Sequence, residues 1–292
     1  MSDQPMDITD LFILSKLRNS SFQEIVRELS KNKVTLSESK ELAKIKAKID
    51  EGYPLAYILE TIEFLDRSFM LDSNVLVPRP ETEEWVKHFI FDLKKQISTK
   101  YKNDVQVNLI DLATGSGVIG LSIWLELGVF LNHILLSDIS GEALNLAQAN
   151  HKNFSRLFSG STHPKFAQSD LFTHLQSADL QHFKSWDPTK LNILVSNLPY
   201  LPQSDAIDLP NLRHEPEIAL FSGQSGLDLF KKLIDQIEDY NLHFDTILLE
   251  LDPRNIFEAS DFIRNVEFFK NYNISILNDF AGRSRVLRLD IL

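Results

Sequence analysis

The chain has no cysteine among its 292 residues, only three methionines and only ten glycines. Without cysteine there are no disulfides, thiolate metal sites or sulfur nucleophile, and the composition fits a reducing compartment. The eight histidines are scattered, no two of them three to five residues apart, so no metal site is expected. Basic charge is also scarce: 30 Lys and Arg against 41 Asp and Glu leave a net charge of −11. That balance disfavours a non-specific nucleic-acid binder, which needs clustered cations to neutralise phosphates. A long apolar run is missing too. The most hydrophobic stretch, Val118 to Leu136, is interrupted by Glu126, Asn132 and His133 and reads as a core helix running into a strand. Asp3, Asp7 and Asp10 precede the first basic residue, Lys16, which argues against a secretory signal or transit peptide. A soluble, cytoplasmic protein with no membrane association is therefore expected.

What is present is concentrated. Three of the ten glycines fall in Asp111-Leu112-Ala113-Thr114-Gly115-Ser116-Gly117-Val118-Ile119-Gly120, where an apolar strand enters a glycine-rich turn and then a helix. Such a turn lets backbone approach a nucleotide cofactor closely. A second strand, Ile134-Leu135-Leu136-Ser137, ends at Asp138, about 20 residues on, where a carboxylate can accept ribose hydroxyls. The two together indicate an adenosine-containing cofactor. The glycine spacing literally satisfies a dinucleotide fingerprint, so the motif alone does not exclude NAD. Asp111 argues the other way: a carboxylate beside the loop repels a pyrophosphate and suits a sulfonium donor carrying an ammonium group.

A third strand, Leu191-Asn192-Ile193-Leu194-Val195-Ser196, runs into Asn197-Leu198-Pro199-Tyr200. In open α/β sheets the ligand crevice lies beyond the carboxyl ends of the strands. Asn197 offers one acceptor oxygen and two donor hydrogens there. Pro199 stiffens the turn and holds Leu198 extended, so that its carbonyl points into the crevice. Tyr200 supplies a flat face with a polar tip. This turn can hold a planar amide or amine in front of a methyl donor, although Asn and Pro also end ordinary strands.

Strands and helices alternate to the end of the chain, with strands near 107–112, 133–138, 165–169, 192–197, 246–251, 273–278 and 285–291. The last two are separated by a short turn containing Gly282 and must be antiparallel neighbours. The first 50 residues read as short helices. Ser21 with Glu24 and Thr35 with Glu38 have capping-box spacing; Phe22, Ile25, Val26 and Leu29 form one apolar face, and Leu42, Ile45 and Ile49 another. Lysines 31, 33, 40, 44, 46 and 48 make a basic patch, either a solvated helix face or a partner-docking surface. Residues 52–80 read as a linker with a hairpin, and Thr82 as the cap of a following helix whose first turn carries Glu83 and Glu84.

These motifs resemble the release-factor glutamine methyltransferase family (HemK/PrmC type), from about position 50 to 292. Gly52-Tyr53-Pro54-Leu55-Ala56-Tyr57-Ile58 with Glu63-Phe64, and Val75-Leu76-Val77-Pro78-Arg79-Pro80-Glu81-Thr82-Glu83, look like its linker and pocket-edge segments. Glu215-Pro216-Glu217-Ile218-Ala219-Leu220, Gly226-Leu227 and Asp279-Phe280-Ala281-Gly282-Arg283-Ser284-Arg285-Val286 follow in the family's order. Two departures stand out: Leu198 where the family usually has a proline, and Leu251-Asp252-Pro253 where it tends to place a glycine.

The resemblance implies a seven-stranded adenosylmethionine-dependent methyltransferase sheet of the Rossmann-like class, with a terminal antiparallel hairpin and a small N-terminal helical bundle. Its implied divisions are a partner-binding bundle over 1–51, the linker over 52–80 and the methyltransferase domain over 81–292. The implied donor is S-adenosyl-L-methionine, held by Asp111, the Ala113–Gly117 loop, Asp138, Asp170, Leu171 and Asn197. Asn197, Leu198, Pro199 and Tyr200 would bind the reacting glutamine, with Arg79, Pro80, Glu215 and Arg283 supporting the pocket from behind. Asp170 has a competing role as a helix cap. The implied substrate is the Gly-Gly-Gln glutamine of a peptide-chain release factor, and the chain is expected to act as a monomer without a nucleic-acid substrate. Fungal mitochondrial members leave the mitochondrial matrix as an alternative location. Two rival readings remain: a nucleobase amino-methyltransferase using the same clamp, and a non-catalytic adenosine-binding protein.

Overall fold

The computed structural model describes residues 36–158, 160–206 and 212–292. The chain divides into two units, Met1–Thr61 and Ile62–Leu292. In the first, α1 (Leu36–Asp50) buries Leu42 and half-buries Ile45 and Ile49, the stripe its spacing predicts. A short α2 (Leu55–Leu59) follows Pro54 and stops at Glu60, whose φ of 54° is left-handed. The rings of Tyr53 and Tyr57 meet edge-on at 5.9 Å. The capping boxes at Ser21 and Thr35 and the face from Phe22 to Leu29 lie outside the described residues.

The boundary falls at the first residue of the expected hairpin, β1 (Thr61–Phe64) and β2 (Arg67–Met70). Leu65 and Asp66 between them have φ of 49° and 58°, the doubly positive geometry that matches strand twist in a two-residue turn. Helix α3 (Pro80–Thr99) then starts with Pro80 at its first turn, where a missing N–H costs nothing, and with Glu81 and Glu83 near the positive end of its dipole. The expected cap is corrected: Arg79 occupies that position, and Thr82 is buried inside the first turn with its hydroxyl turned to another strand.

The main sheet has seven strands in the order β5-β4-β3-β6-β7-β9-β8. Strands β3 (Gln106–Leu112), β4 (Leu131–Asp138), β5 (Lys165–Gln168), β6 (Lys190–Asn197) and β7 (Thr246–Glu250) are parallel, while β8 (Tyr272–Asn278) and β9 (Ser284–Ile291) add the antiparallel hairpin. The inner strands are mostly apolar because both faces are covered. On one face Val107, Leu109, Ile193 and Leu248 pack against α3 and α4 (Val118–Leu127), the latter buried nearly all round. On the other, Ile110, Leu112, Leu194 and Leu249 pack against α7 (Asp228–Asp239) and α8 (Ile256–Arg264). Helices α5 (Gly141–Phe154) and α6 (Ser177–Leu180) follow β4 and β5.

Three asparagines cross this apolar sheet as a ladder. Asn132 Nδ2 donates to Asn108 Oδ1 at 2.8 Å, Asn108 Nδ2 to Asn192 Oδ1 at 2.8 Å, and Asn192 Nδ2 to the His243 carbonyl at 3.1 Å. Asn108 is fully buried. Asn192→Ala strands the Asn108 amide donor, and the expected loss is about 1–3 kcal/mol, read as a lower urea midpoint at unchanged slope. An unchanged midpoint would mean the ladder contributes nothing to stability.

Candidate active site

Three strand ends meet beyond the carboxyl edge of the sheet. At the first, the loop after β3 turns through left-handed residues, Ala113 at φ 54°, Gly115 at 55° and Gly117 at 85°. It is tied down by Thr114 N–H to the Ser137 carbonyl at 3.0 Å and Gly117 N–H to the Thr114 carbonyl at 2.8 Å. A Cβ on Gly120 would lie 2.7 Å from Asp111 Oδ2 and 3.0 Å from Leu136, so the third glycine is there for close packing. Asp111 itself is fully buried beneath the loop. Its Oδ2 accepts from Thr114 Oγ1 at 2.6 Å and from Gly120 N–H at 2.8 Å, while Oδ1 has no partner among the described residues. Burial pushes its carboxyl up to about 7, against the pull of those two hydrogen bonds.

At the end of β4, Asp138 accepts from Gly115 N–H through Oδ2 and from Ser140 N–H through Oδ1, both at 2.9 Å. Burial also raises its carboxyl above the usual range. After β5, Leu171 takes a left-handed φ of 53°, and Asp170 pairs with Lys232. No helix begins at Asp170, which removes its competing role as a cap.

The third end carries Asn197. Its Nδ2 donates to Thr82 Oγ1 at 3.3 Å, Thr82 Oγ1 donates to Glu250 Oε2 at 2.7 Å, and Trp85 Nε1 donates to the same Oε2 at 2.8 Å. Asn197 Oδ1 is buried without a hydrogen-bond partner among the described residues. Tyr200 is pinned at both ends. Its hydroxyl lies 3.4 Å from Glu250 Oε1 and its carbonyl 3.4 Å from Asn255 Nδ2. Burial, then the Glu250 charge, raises the phenol above its ordinary value.

One cavity brings most of these groups together. Its wall contains Ala113, Thr114, Gly115, Ser116, Asp138, Asp170, Leu171, Asn197, Leu198 and Pro199, closed by Asn74, Val75, Leu76 and Pro78. Tyr200 and Arg79 lie instead in an adjoining groove that shares Leu76, Asn197 and Leu198 with the cavity and continues to Arg283 and Arg285. Asp111 and Gly117 lie in neither wall. Glu215 and Pro80 line neither the cavity nor the groove. Glu215 is buried and accepts from Val77 N–H at 3.0 Å and from Arg79 at 2.6 Å, while Pro80 starts α3. Arg283 bridges Glu81 at 2.6 Å and Asp279 at 2.8 Å. Two residues next to Asn197 escaped sequence reasoning, Thr82 as a cavity-wall group and Glu250. A carboxylate closing the apolar run Thr246-Ile247-Leu248-Leu249 was the available signal. Among the described residues, no cluster of His, Asp or Glu is placed to hold a metal, and no helix is long and apolar enough to cross a membrane.

Over 280 residues, 95% of the chain, the sequence is 31% identical to the release factor glutamine methyltransferase of Leptospira interrogans, covering 82% of that protein. The chain belongs to the release factor glutamine methyltransferase family. The Bacillus subtilis member is 30% identical over 239 residues, covering 81% of this chain and 75% of its own length. No family model matches the chain. Among solved structures, the hMettl16 catalytic domain in complex with a MAT2A 3′UTR hairpin superposes with a TM-score of 0.50 at 14% identity, covering 85% of this chain and 90% of that one. That likeness concerns the fold alone, the class I methyltransferase sheet.

Two consequences are measurable. Gly226 has a φ of 79°, and a Cβ there would lie 2.2 Å from the Tyr200 carbonyl. Gly226→Ala is expected to displace the Tyr200 turn and destabilise the protein by about 1–3 kcal/mol, seen as a lower thermal midpoint; an unaltered midpoint contradicts the close approach. Asp111 binds a proton more tightly folded than unfolded, so its contribution is full below about pH 4 and lost as pH rises through about 7. Asp111→Asn should therefore lose less stability than wild type between about pH 4 and pH 7 in urea denaturation. Parallel pH profiles would show that this carboxyl does not titrate there.

Proposed function

We propose that this protein transfers a methyl group from S-adenosyl-L-methionine to the side-chain amide nitrogen of the glutamine in the Gly-Gly-Gln motif of a peptide-chain release factor. The observation that carries this reading is Asn197 Oδ1, a buried acceptor without a partner among the described residues, on a residue that lines the cavity. The cavity suits the donor by its chemistry. Val75, Leu76, Val118, Ile119 and Leu171 offer apolar walls for a planar base, and Asp138 lies beside them for ribose hydroxyls. When bound, the donor supplies an electrophilic methyl on a sulfonium, which departs as a neutral thioether.

The chain's own task is to make an amide nitrogen attack. Its lone pair is delocalised into the carbonyl, so Asn197 Oδ1 and the Leu198 carbonyl each accept one amide hydrogen. The lone pair then faces the methyl, and positive charge developing on nitrogen is stabilised. With the donor bound, the nitrogen–carbon bond would form as the carbon–sulfur pair stays with sulfur, and the nitrogen would give up one of the two hydrogens held by Asn197 Oδ1 and the Leu198 carbonyl. Positioning in a site shielded from water supplies up to about 7–11 kcal/mol of the barrier reduction. Leu198 in place of proline keeps the needed carbonyl, and its side chain is buried in the core.

In the same reading, the bundle over 1–51 grips the release factor, residues 52–80 link it to the catalytic domain over 81–292, and one chain suffices. The reaction is placed in the cytoplasm, with the mitochondrial matrix as the alternative. Arg79, Glu215, Pro80 and Arg283 hold the groove through which the substrate loop enters. The test is mass spectrometry of a release factor after incubation with enzyme and labelled donor, beside an adenine-containing oligonucleotide. One added methyl on the motif glutamine is expected, and Asn197→Ala should lower kcat by about 10²–10³-fold. A label on the oligonucleotide alone, or an Asn197→Ala enzyme as fast as wild type, overturns the proposal.

A further inference from the structure

The Asn197 oxygen, unpartnered among the described residues, raises a question about direction. An asparagine amide can be turned over by half a rotation, exchanging its acceptor for its donor, and only its neighbours decide which end faces where. If Nδ2 instead of Oδ1 faced the crevice, the turn would offer hydrogens to a nitrogen that already carries two. We infer that Glu250, acting through the Thr82 hydroxyl, is the positioning residue that locks the Asn197 amide with its oxygen toward the substrate.

The inference follows from counting donors. Glu250 closes β7 and is buried, and Trp85 Nε1–H, which can only donate, is held by its Oε2. Thr82 Oγ1 has a single proton and gives it to that same oxygen at 2.7 Å. Only lone pairs are left on Thr82 Oγ1 to face Asn197. The partner they accept is therefore an N–H, Asn197 Nδ2 at 3.3 Å, and the flipped amide would set oxygen against oxygen. The second Glu250 oxygen lies 3.4 Å from the Tyr200 hydroxyl, so one carboxylate bears on both ends of the Asn197–Tyr200 turn. Burial raises the carboxyl, whereas the Trp85 and Thr82 hydrogen bonds and the Arg285 charge favour its ionised, accepting form. No atom of Glu250 belongs to the cavity wall or the groove. Its part is to orient, not to touch substrate.

This deepens the proposed glutamine methylation and rests on it, so the test has one arm that depends on turnover and one that does not. Thr82→Val keeps the shape and removes the hydroxyl. Expected is a fall in kcat of about 10- to 100-fold, with KM for release factor, donor affinity by calorimetry and the thermal midpoint close to wild type. Thr82→Ser, which restores the hydroxyl, should recover most of the lost rate. Should the valine variant fold poorly, Thr82→Ala makes the same deletion with less volume. Independently of activity, the Asn197 side-chain NH2, followed by NMR in selectively labelled protein, should show one hydrogen protected from exchange in wild type and none in Thr82→Val. A Thr82→Val enzyme with wild-type kcat, a rise in KM alone, or unchanged protection of the Asn197 amide overturns the lock. Wild type that transfers no methyl to a release factor yet loses Asn197 protection on Thr82→Val would sink the substrate assignment and leave the lock standing.

Discussion

The parallel register of β3 against its two neighbours governs the crevice. Leu112 stands level with Ser137 on one side and Ser196 on the other, and the Ser196 hydroxyl donates to the Leu112 carbonyl at 2.6 Å. With three strands ending on one line, the next residues of each, Ala113, Asp138 and Asn197, emerge side by side. A one-residue slip in any strand turns every side chain to the opposite face. The glycine loop, the carboxylate that holds it and the amide clamp would then no longer face one cavity. Proximity here is thus a property of the hydrogen-bond ladder, enforced by two apolar cores that fit only one register.

Polar groups within this apolar frame are few, and most have assigned partners. Asp138 braces the glycine loop through Gly115, Asp111 braces it from below through Thr114 and Gly120, and Glu250 gathers Thr82, Trp85 and Tyr200. Each carboxylate is held against a desolvation cost that burial imposes and hydrogen bonds only partly offset. Such groups purchase little stability. What they supply is orientation: each restricts a loop or side chain that would otherwise have several settings.

Much of the sheet was legible because its signals are local. Apolar or alternating runs bounded by turn residues identify all seven strands to within a few positions, and the short Gly282 turn requires the terminal hairpin. The Asn197 turn and the Asp138 strand end were legible for the same reason. Thr82 was misread as a cap because a threonine before acidic residues at a helix start has that signature. Nothing local reveals that Pro80 already begins the helix and that a carboxylate 168 residues away takes the hydroxyl. Asp111 was assigned to the cofactor from its place beside the loop, while the structure buries it under the loop; strand-end spacing does not say which side of a turn a side chain takes. Glu250 belongs to the same class, a polar residue whose role exists only once distant strands are paired.

The asparagine ladder lies toward the opposite end of these strands from the crevice. Each amide there fits one alignment of β4, β3 and β6, because in any other it would be pressed against leucine or valine with its hydrogen bonds unmade. Hydrophobic side chains tolerate approximate neighbours, whereas amides do not. A sheet paired one step out of place would leave the Asn108 amide buried without its hydrogen bonds, so the register that builds the crevice is fixed at the far end of the strands as well.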